Sequence, residues 1–209
     1  MKTTLLVSAA AVFCSCSFAA LPAARPLPAP RRTGGMPLQQ ALGVRKTIRS
    51  YKADALTDQQ IADLLWSANG VNRKDGKRTA PSAVNRKEIN LYYLTAQGAF
   101  SYNPETNQVV KVSGEDLRKW AGRFEAPVYI VLSADLKRAA SRHYAVMDTG
   151  YVSQNIYLHC ASSGLGTCAI GSFGRIKGGE KGKLLHDKLG MPETEEILLT
   201  HSVGIPAEE

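Results

Sequence analysis

Apolar residues recur at helical spacing at Ile61, Leu64, Leu65 and Ala68, between a Thr57-Asp58-Gln59-Gln60 capping box and an Asn69-Gly70 stop, which predicts a helix over 57–69. A shorter apolar pattern (Leu38, Ala41, Leu42) predicts a helix over 37–44. The rhythm then changes. Residues 88–95 are strand-like, and 99–102 and 108–112 flank a Pro104-Glu105-Thr106-Asn107 turn, as in a β-hairpin. Ser113 with Asp116 marks the start of a short helix through Trp120, and 127–133 is an apolar strand. Residues 136–163 read as helical, with a break near Asp148 and an apolar face of Val146, Thr149, Val152, Ile156 and Cys160, up to Gly164. So long and apolar a helix is expected to be buried, at a dimer core. A strand at 167–170, a helix at 183–189 and a strand at 196–203 complete the chain. Strands and helices without regular βαβ alternation predict an α+β sandwich, not a dinucleotide-binding Rossmann unit. Gly164-Leu165-Gly166 follows a helix, whereas the dinucleotide fingerprint follows a strand.

The N-terminus has a different character. Lys2, the apolar run from Leu5 to Phe13 and the small residues around Ser17-Phe18-Ala19 read as a secretory signal over 1–19, too short to span a membrane. The expectation is an exported protein, periplasmic or secreted, with lipid anchoring through Cys16 as the alternative. Residues 20–36 are rich in Pro and Arg and poor in large apolar side chains, which predicts a flexible linker, with one folded domain over 37–209. The 209 residues, 44% hydrophobic and 21% charged, suit a single domain with a real core.

The net charge of +8 raises nucleic acid or anionic surfaces as partners, but the cations are scattered and follow no nucleic-acid-binding motif, so none is expected. Cys160 and Cys168 remain after the signal; one pair is no disulfide framework, and no spacing suggests a metal site. The four histidines lie far apart, with no nucleophile elbow or metal-like spacing.

One stretch concentrates chemistry. Arg45-Lys46-Thr47-Ile48-Arg49-Ser50-Tyr51 sets cations and hydroxyls together just after a helix, which suits an anion with several acceptor oxygens, such as a phosphate. Two other stretches go with it: Arg78-Thr79-Ala80-Pro81-Ser82-Ala83-Val84-Asn85, and Gly164 to Phe173 with Ala169-Ile170-Gly171-Ser172 at its end.

In that order and separation, from about Leu38 to Pro206, the chain resembles the FMN-dependent nitroreductase family, and within it the small branch that includes the azoline (thiazole/oxazole) dehydrogenases. The resemblance implies a mostly antiparallel central sheet flanked by helices, an obligate homodimer, and FMN as cofactor. It assigns Arg45, Lys46 and Thr47 to the phosphate and ribityl chain, and Arg49 to the ring near N1 and O2. Pro81, Ser82, Ala83 and Asn85 match a turn that packs on the flavin from the other subunit. Arg78 is a further phosphate or ring contact, and Ala169, Ile170 and Gly171 match the strand-end loop whose main-chain N–H faces N5. No side chain need act as acid or base, since the flavin carries the chemistry. The implied activity is ping-pong electron transfer from NAD(P)H or another donor to a small aromatic, quinone or nitro-type acceptor; a flavin-holding protein or partner subunit without turnover is the alternative. The chain departs from the family at Arg86-Lys87-Glu88 and in ending Gly204 to Glu209 without a cationic pair for the phosphate, a duty that would fall to Arg78 or Lys77.

Overall fold

The apolar run near residue 130 is continuous because both of its faces are covered. In a computed structural model, which describes residues 23–171 and 179–207, this run is strand β5 (Val128–Asp135), central in an antiparallel sheet. Its alternate residues divide between two cores. Val128, Ile130, Leu132 and Ala134 join Leu64, Leu65 and Ile156 on one side, and Tyr129 and Val131 join Leu117, Leu185 and Leu189 on the other.

Around it lie β2 (Ile89–Thr95), β3 (Gly98–Asn103), β4 (Gln108–Ser113), β6 (Gly166–Ile170) and β7 (Glu195–Gly204). With β1 (Ala24–Pro26), the described residues form a seven-stranded sheet of order β1-β4-β3-β2-β5-β7-β6. Helices α1 (Leu38–Val44), α2 (Asp58–Asn69) and α4 (Arg142–Ser162) stack together, while α3 (Arg118–Ala121) packs with α5 (Glu180–Lys188). The architecture is α+β, as the absence of βαβ alternation implies.

Helix α2 starts where its capping box predicts. Thr57 Oγ1 accepts the Gln60 N–H at 3.2 Å, and Gln60 Oε1 accepts the Thr57 N–H at 2.9 Å. Thr57→Ala removes one half of this exchange and is expected to cost about 1 kcal/mol, read as a Tm lowered by roughly 2–4 °C for a chain of this size.

Three expectations are corrected. Residues 24–36 are not a loose linker: β1 pairs with β4, Leu27 is buried, Arg25 meets Asp58 at 2.6 Å and Arg31 meets Asp63 at 2.7 Å. Proline, which cannot donate within a ladder, is tolerated in an outermost strand, so the composition did not exclude this pairing. Helix α4 begins at Arg142, capped by Ser141, and runs unbroken through Asp148; Val146 faces outward. Helix α3 is a single turn after Leu117, and Asp116 Oδ1 accepts the Arg118 N–H from outside it, while Ser113 serves Glu115. Cys160 and Cys168 are buried free thiols. The expected signal at 1–19, as well as Ser172, Phe173, Glu208 and Glu209, lies outside the described residues. No helix among the described residues is long and apolar enough to cross a membrane.

Candidate functional site

After α1 the chain leaves helical geometry at Arg45 and runs extended beside β6 and β7. The Ile48 N–H donates to the Thr167 carbonyl at 3.0 Å, the Lys52 N–H to Ile205 at 2.8 Å, and the Ala207 N–H to Ser50 at 3.1 Å. The approach is close at Gly166, where a Cβ would lie 2.7 Å from Ile48, so this position admits no side chain without displacing the basic segment.

The Tyr157 hydroxyl, on α4, joins two of the stretches singled out above. It lies 3.2 Å from Thr47 Oγ1 and accepts the Ala169 N–H at 3.0 Å. The Arg45 guanidinium lies over the Tyr157 ring, 5.4 Å from its centroid. Beneath, the His201 ring meets Tyr157 edge-on at 5.3 Å and bonds Ser153 Oγ and Thr167 Oγ1, each at 2.9 Å. Burial pushes this imidazole down to about 3, so it is neutral.

Within β6, Thr167 and Ala169 direct main-chain groups away from β7, toward Ile48 and Tyr157. The Ala169 N–H is engaged by Tyr157, and Gly171 follows directly after the strand. A Cβ at Gly171 would meet only Leu199, at 3.7 Å. Arg49, Ala169, Ile170 and Gly171 line one cavity of about 680 Å³. Lys46 is exposed and is not among the residues that line this cavity.

Pro81, Ser82, Ala83 and Asn85 form a separate, sharply bent turn. Val84, Asn85 and Lys87 have φ of 46°, 56° and 53°, a left-handed conformation unusual for a β-branched residue such as Val84. The turn is held from below: Asp148 Oδ2 accepts the Ala83 N–H at 2.7 Å, and Ser82 Oγ accepts the Lys87 N–H at 2.9 Å. Arg78, Pro81, Ser82 and Asn85 line a smaller cavity of about 190 Å³. The Arg78 side chain, only 8% exposed, is engaged by Glu105 at 3.2 Å and by the Ile89 carbonyl at 3.2 Å. Its guanidinium is thus largely committed to the fold.

The two groups are not brought together within one chain. Their anchors, Asp148 and Tyr157, are nine residues apart on α4, about 14 Å at 1.5 Å per residue.

Residues that sequence reasoning passed over support both groups. Tyr157 is one. Glu88 is another: it is fully buried beside Asp148, and its carboxyl oxygens have no other hydrogen-bond partner among the described residues. Burial, reinforced by the neighbouring Asp148 carboxylate, holds the Glu88 carboxyl above the usual carboxylate range. Burial beside the Asp148 carboxylate thus favours the protonated form of Glu88, while Asp148 itself accepts from the turn. Stability from this group is fully present below the ordinary glutamate pKa and is lost as pH rises through the elevated one. Glu88→Gln, which cannot ionise, is expected to raise the Tm more at alkaline than at mildly acidic pH. An equal change at both would contradict the elevation of the Glu88 carboxyl.

Comparison with known proteins gives a consistent answer. The model of the Nitroreductase family matches residues 42–205. A candidate nitroreductase of Ralstonia eutropha JMP134 has a crystal structure that superposes with a TM-score of 0.80 at 31% identity, over 89% of this chain and 90% of that one. A candidate nitroreductase of Methanocaldococcus jannaschii is 28% identical over 156 residues, 65% of this chain and 79% of its own. The fold is shared with a candidate nitroreductase of Desulfovibrio desulfuricans solved in complex with FMN, at 17% identity and a TM-score of 0.62, over 84% of this chain and 89% of that one.

Proposed function

Because the chain belongs to the nitroreductase family, we propose that it is an exported, homodimeric oxidoreductase that holds FMN and passes electrons from NAD(P)H or another donor to a small quinone, nitro or other aromatic acceptor. The observation that carries this reading is the Tyr157 hydroxyl, which draws the basic segment and the Ala169–Gly171 edge to one place. The donor set fits the cofactor: Arg45, Lys46 and Thr47 would hold the phosphate and ribityl chain, Arg49 the ring near N1 and O2, and the main chain at Gly171, open where a Cβ would stand, the ring near N5.

FMN, when bound, supplies the redox chemistry by accepting and returning a hydride equivalent. The chain's own work is to hold, orient and exclude. Arg49 would place fixed positive charge where negative charge develops, and the main chain at Gly171 would allow the ring to approach without a side chain between. Donor and acceptor use the same cavity in turn.

Dimerisation is supported by surface that one chain leaves uncovered. Tyr144, Met147 and Tyr151 recur at helical spacing on the outward face of α4, and Leu38, Leu42 and Val44 on α1 and Val84 in the turn are also exposed. A second copy seated on this face would bring its own 81–85 turn to the first chain's basic segment, removing the separation along α4. Export rests on the 1–19 pattern. Placement near the azoline dehydrogenases rests on the order and separation of the motifs.

Purification tests the reading. The refolded, FMN-supplemented protein should be yellow, dimeric by light scattering, bleached by NADPH and recoloured by a quinone. A colourless protein overturns the cofactor assignment, a monomer that holds flavin overturns the shared site, and colour without bleaching by any donor leaves a flavin carrier.

A further inference from the structure

The large cavity has a wall that holding the flavin does not require. Arg123, after α3, and Lys181, in the first turn of α5, line it together with Arg49, and Trp120 and Phe124 add aromatic surface. Glu180 is the one acid among the described lining residues. Six arginines elsewhere, Arg25, Arg31, Arg78, Arg118, Arg138 and Arg142, each meet a carboxylate at 2.6–3.2 Å, whereas Arg32 and Arg45 lie over aromatic rings instead. Arg49, Arg123 and Lys181 have no such partner among the described residues. The Arg123 guanidinium instead lies over the Phe124 ring, 5.2 Å from its centroid. Helix α5 adds to the positive end, since its cap residue Gly179 offers no side-chain acceptor to the first amides.

Uncompensated cations brought to one cavity by three separate elements concentrate anions there, and adjacent aromatic rings stack on flat molecules. We propose that this cavity selects a planar acceptor bearing its own negative charge, a carboxylate or sulfonate on a ring, with Arg123 and Lys181 gripping the anion and Trp120 and Phe124 the ring. The inference rests on the oxidoreductase reading for calling the ligand an acceptor, but not for its binding. The reaction balances without another component: one hydride from a reduced nicotinamide and one proton convert a quinone to its hydroquinone, and the charged substituent is unchanged.

The probes are 1,4-naphthoquinone-2-sulfonate and neutral 2-methyl-1,4-naphthoquinone, measured by equilibrium dialysis against wild type, Arg123→Gln, Lys181→Gln and the double variant. Wild type should bind the sulfonate roughly tenfold more tightly than the neutral quinone, at the scale of one charge-assisted contact. The preference should weaken with salt and nearly vanish in the double variant, while neutral quinone binding is unchanged. Equal binding of both probes by wild type, or a preference that survives the double substitution, overturns the proposal. A KM rise in the double variant confined to NADPH and absent for NADH would assign the cations to the donor's phosphate, which also overturns it. Dialysis on colourless protein decides the matter even if FMN is not held, so the two readings fail separately.

Discussion

Substituting both Arg45 and Arg49 by alanine is expected to lower FMN affinity by at least two orders of magnitude. Each guanidinium offers a planar fork of donors to phosphate or ring oxygens, and a hydrogen bond to a charged group contributes about 1.5–3 kcal/mol. Two such losses correspond to roughly a hundredfold or more. The fold should survive, because Arg45 is half-buried against the Tyr157 ring and Arg49 sits on the cavity wall without a carboxylate partner among the described residues. Fluorescence titration of free FMN reads the affinity, and far-UV circular dichroism confirms the backbone. Full occupancy in the double variant would place the phosphate elsewhere.

Acidification should destabilise the protein chiefly through His201. Its imidazole is fully buried and held at about 3, far below the value near 6.5 of an exposed histidine. A depressed imidazole pKa means the neutral ring is favoured in the fold, so its contribution is complete above the unfolded value and is lost as pH falls toward the folded one. At about pH 5 the loss is about 2 kcal/mol relative to neutrality. His159, pushed down to about 4 mainly by burial, acts in the same direction. The Glu88 contribution runs opposite, present at acidic pH and lost as pH rises, so the His201→Gln comparison is what isolates the imidazole. Urea midpoints at the two pH values, compared for wild type and His201→Gln, measure the effect; an unchanged difference would assign the acid lability to other groups. Because His201 supports Tyr157, flavin release should accompany this loss.

What the sequence disclosed was local. The capping box at Thr57 and Gln60 placed α2 to within a residue, and the continuous apolar run placed β5, since both depend on neighbours in the chain. The order of the basic segment, the 81–85 turn and the 169–171 edge identified the candidate site because each carries glycine, proline or charge that a fold alone would not demand. What stayed hidden was made at long range. Nothing near Ala24 announces that Arg25 will meet Asp58, so a proline-rich stretch read as loose. Asp148 looked like an interruption in an apolar helix, when its carboxylate is used by an amide sixty-five residues earlier in the chain. Tyr157, one of three tyrosines in the same helix, gave no sign that its hydroxyl would join the basic segment to the 169–171 edge.

The three-residue strand at Ala24–Pro26 bears on how the protein is prepared. A truncation starting at Pro37, where composition alone draws the boundary, would strip β4 of its neighbour and lay bare a row of unsatisfied amides and carbonyls. Such an edge is a template for sheet-to-sheet aggregation, and the shortened protein would be judged insoluble for a reason unrelated to its chemistry.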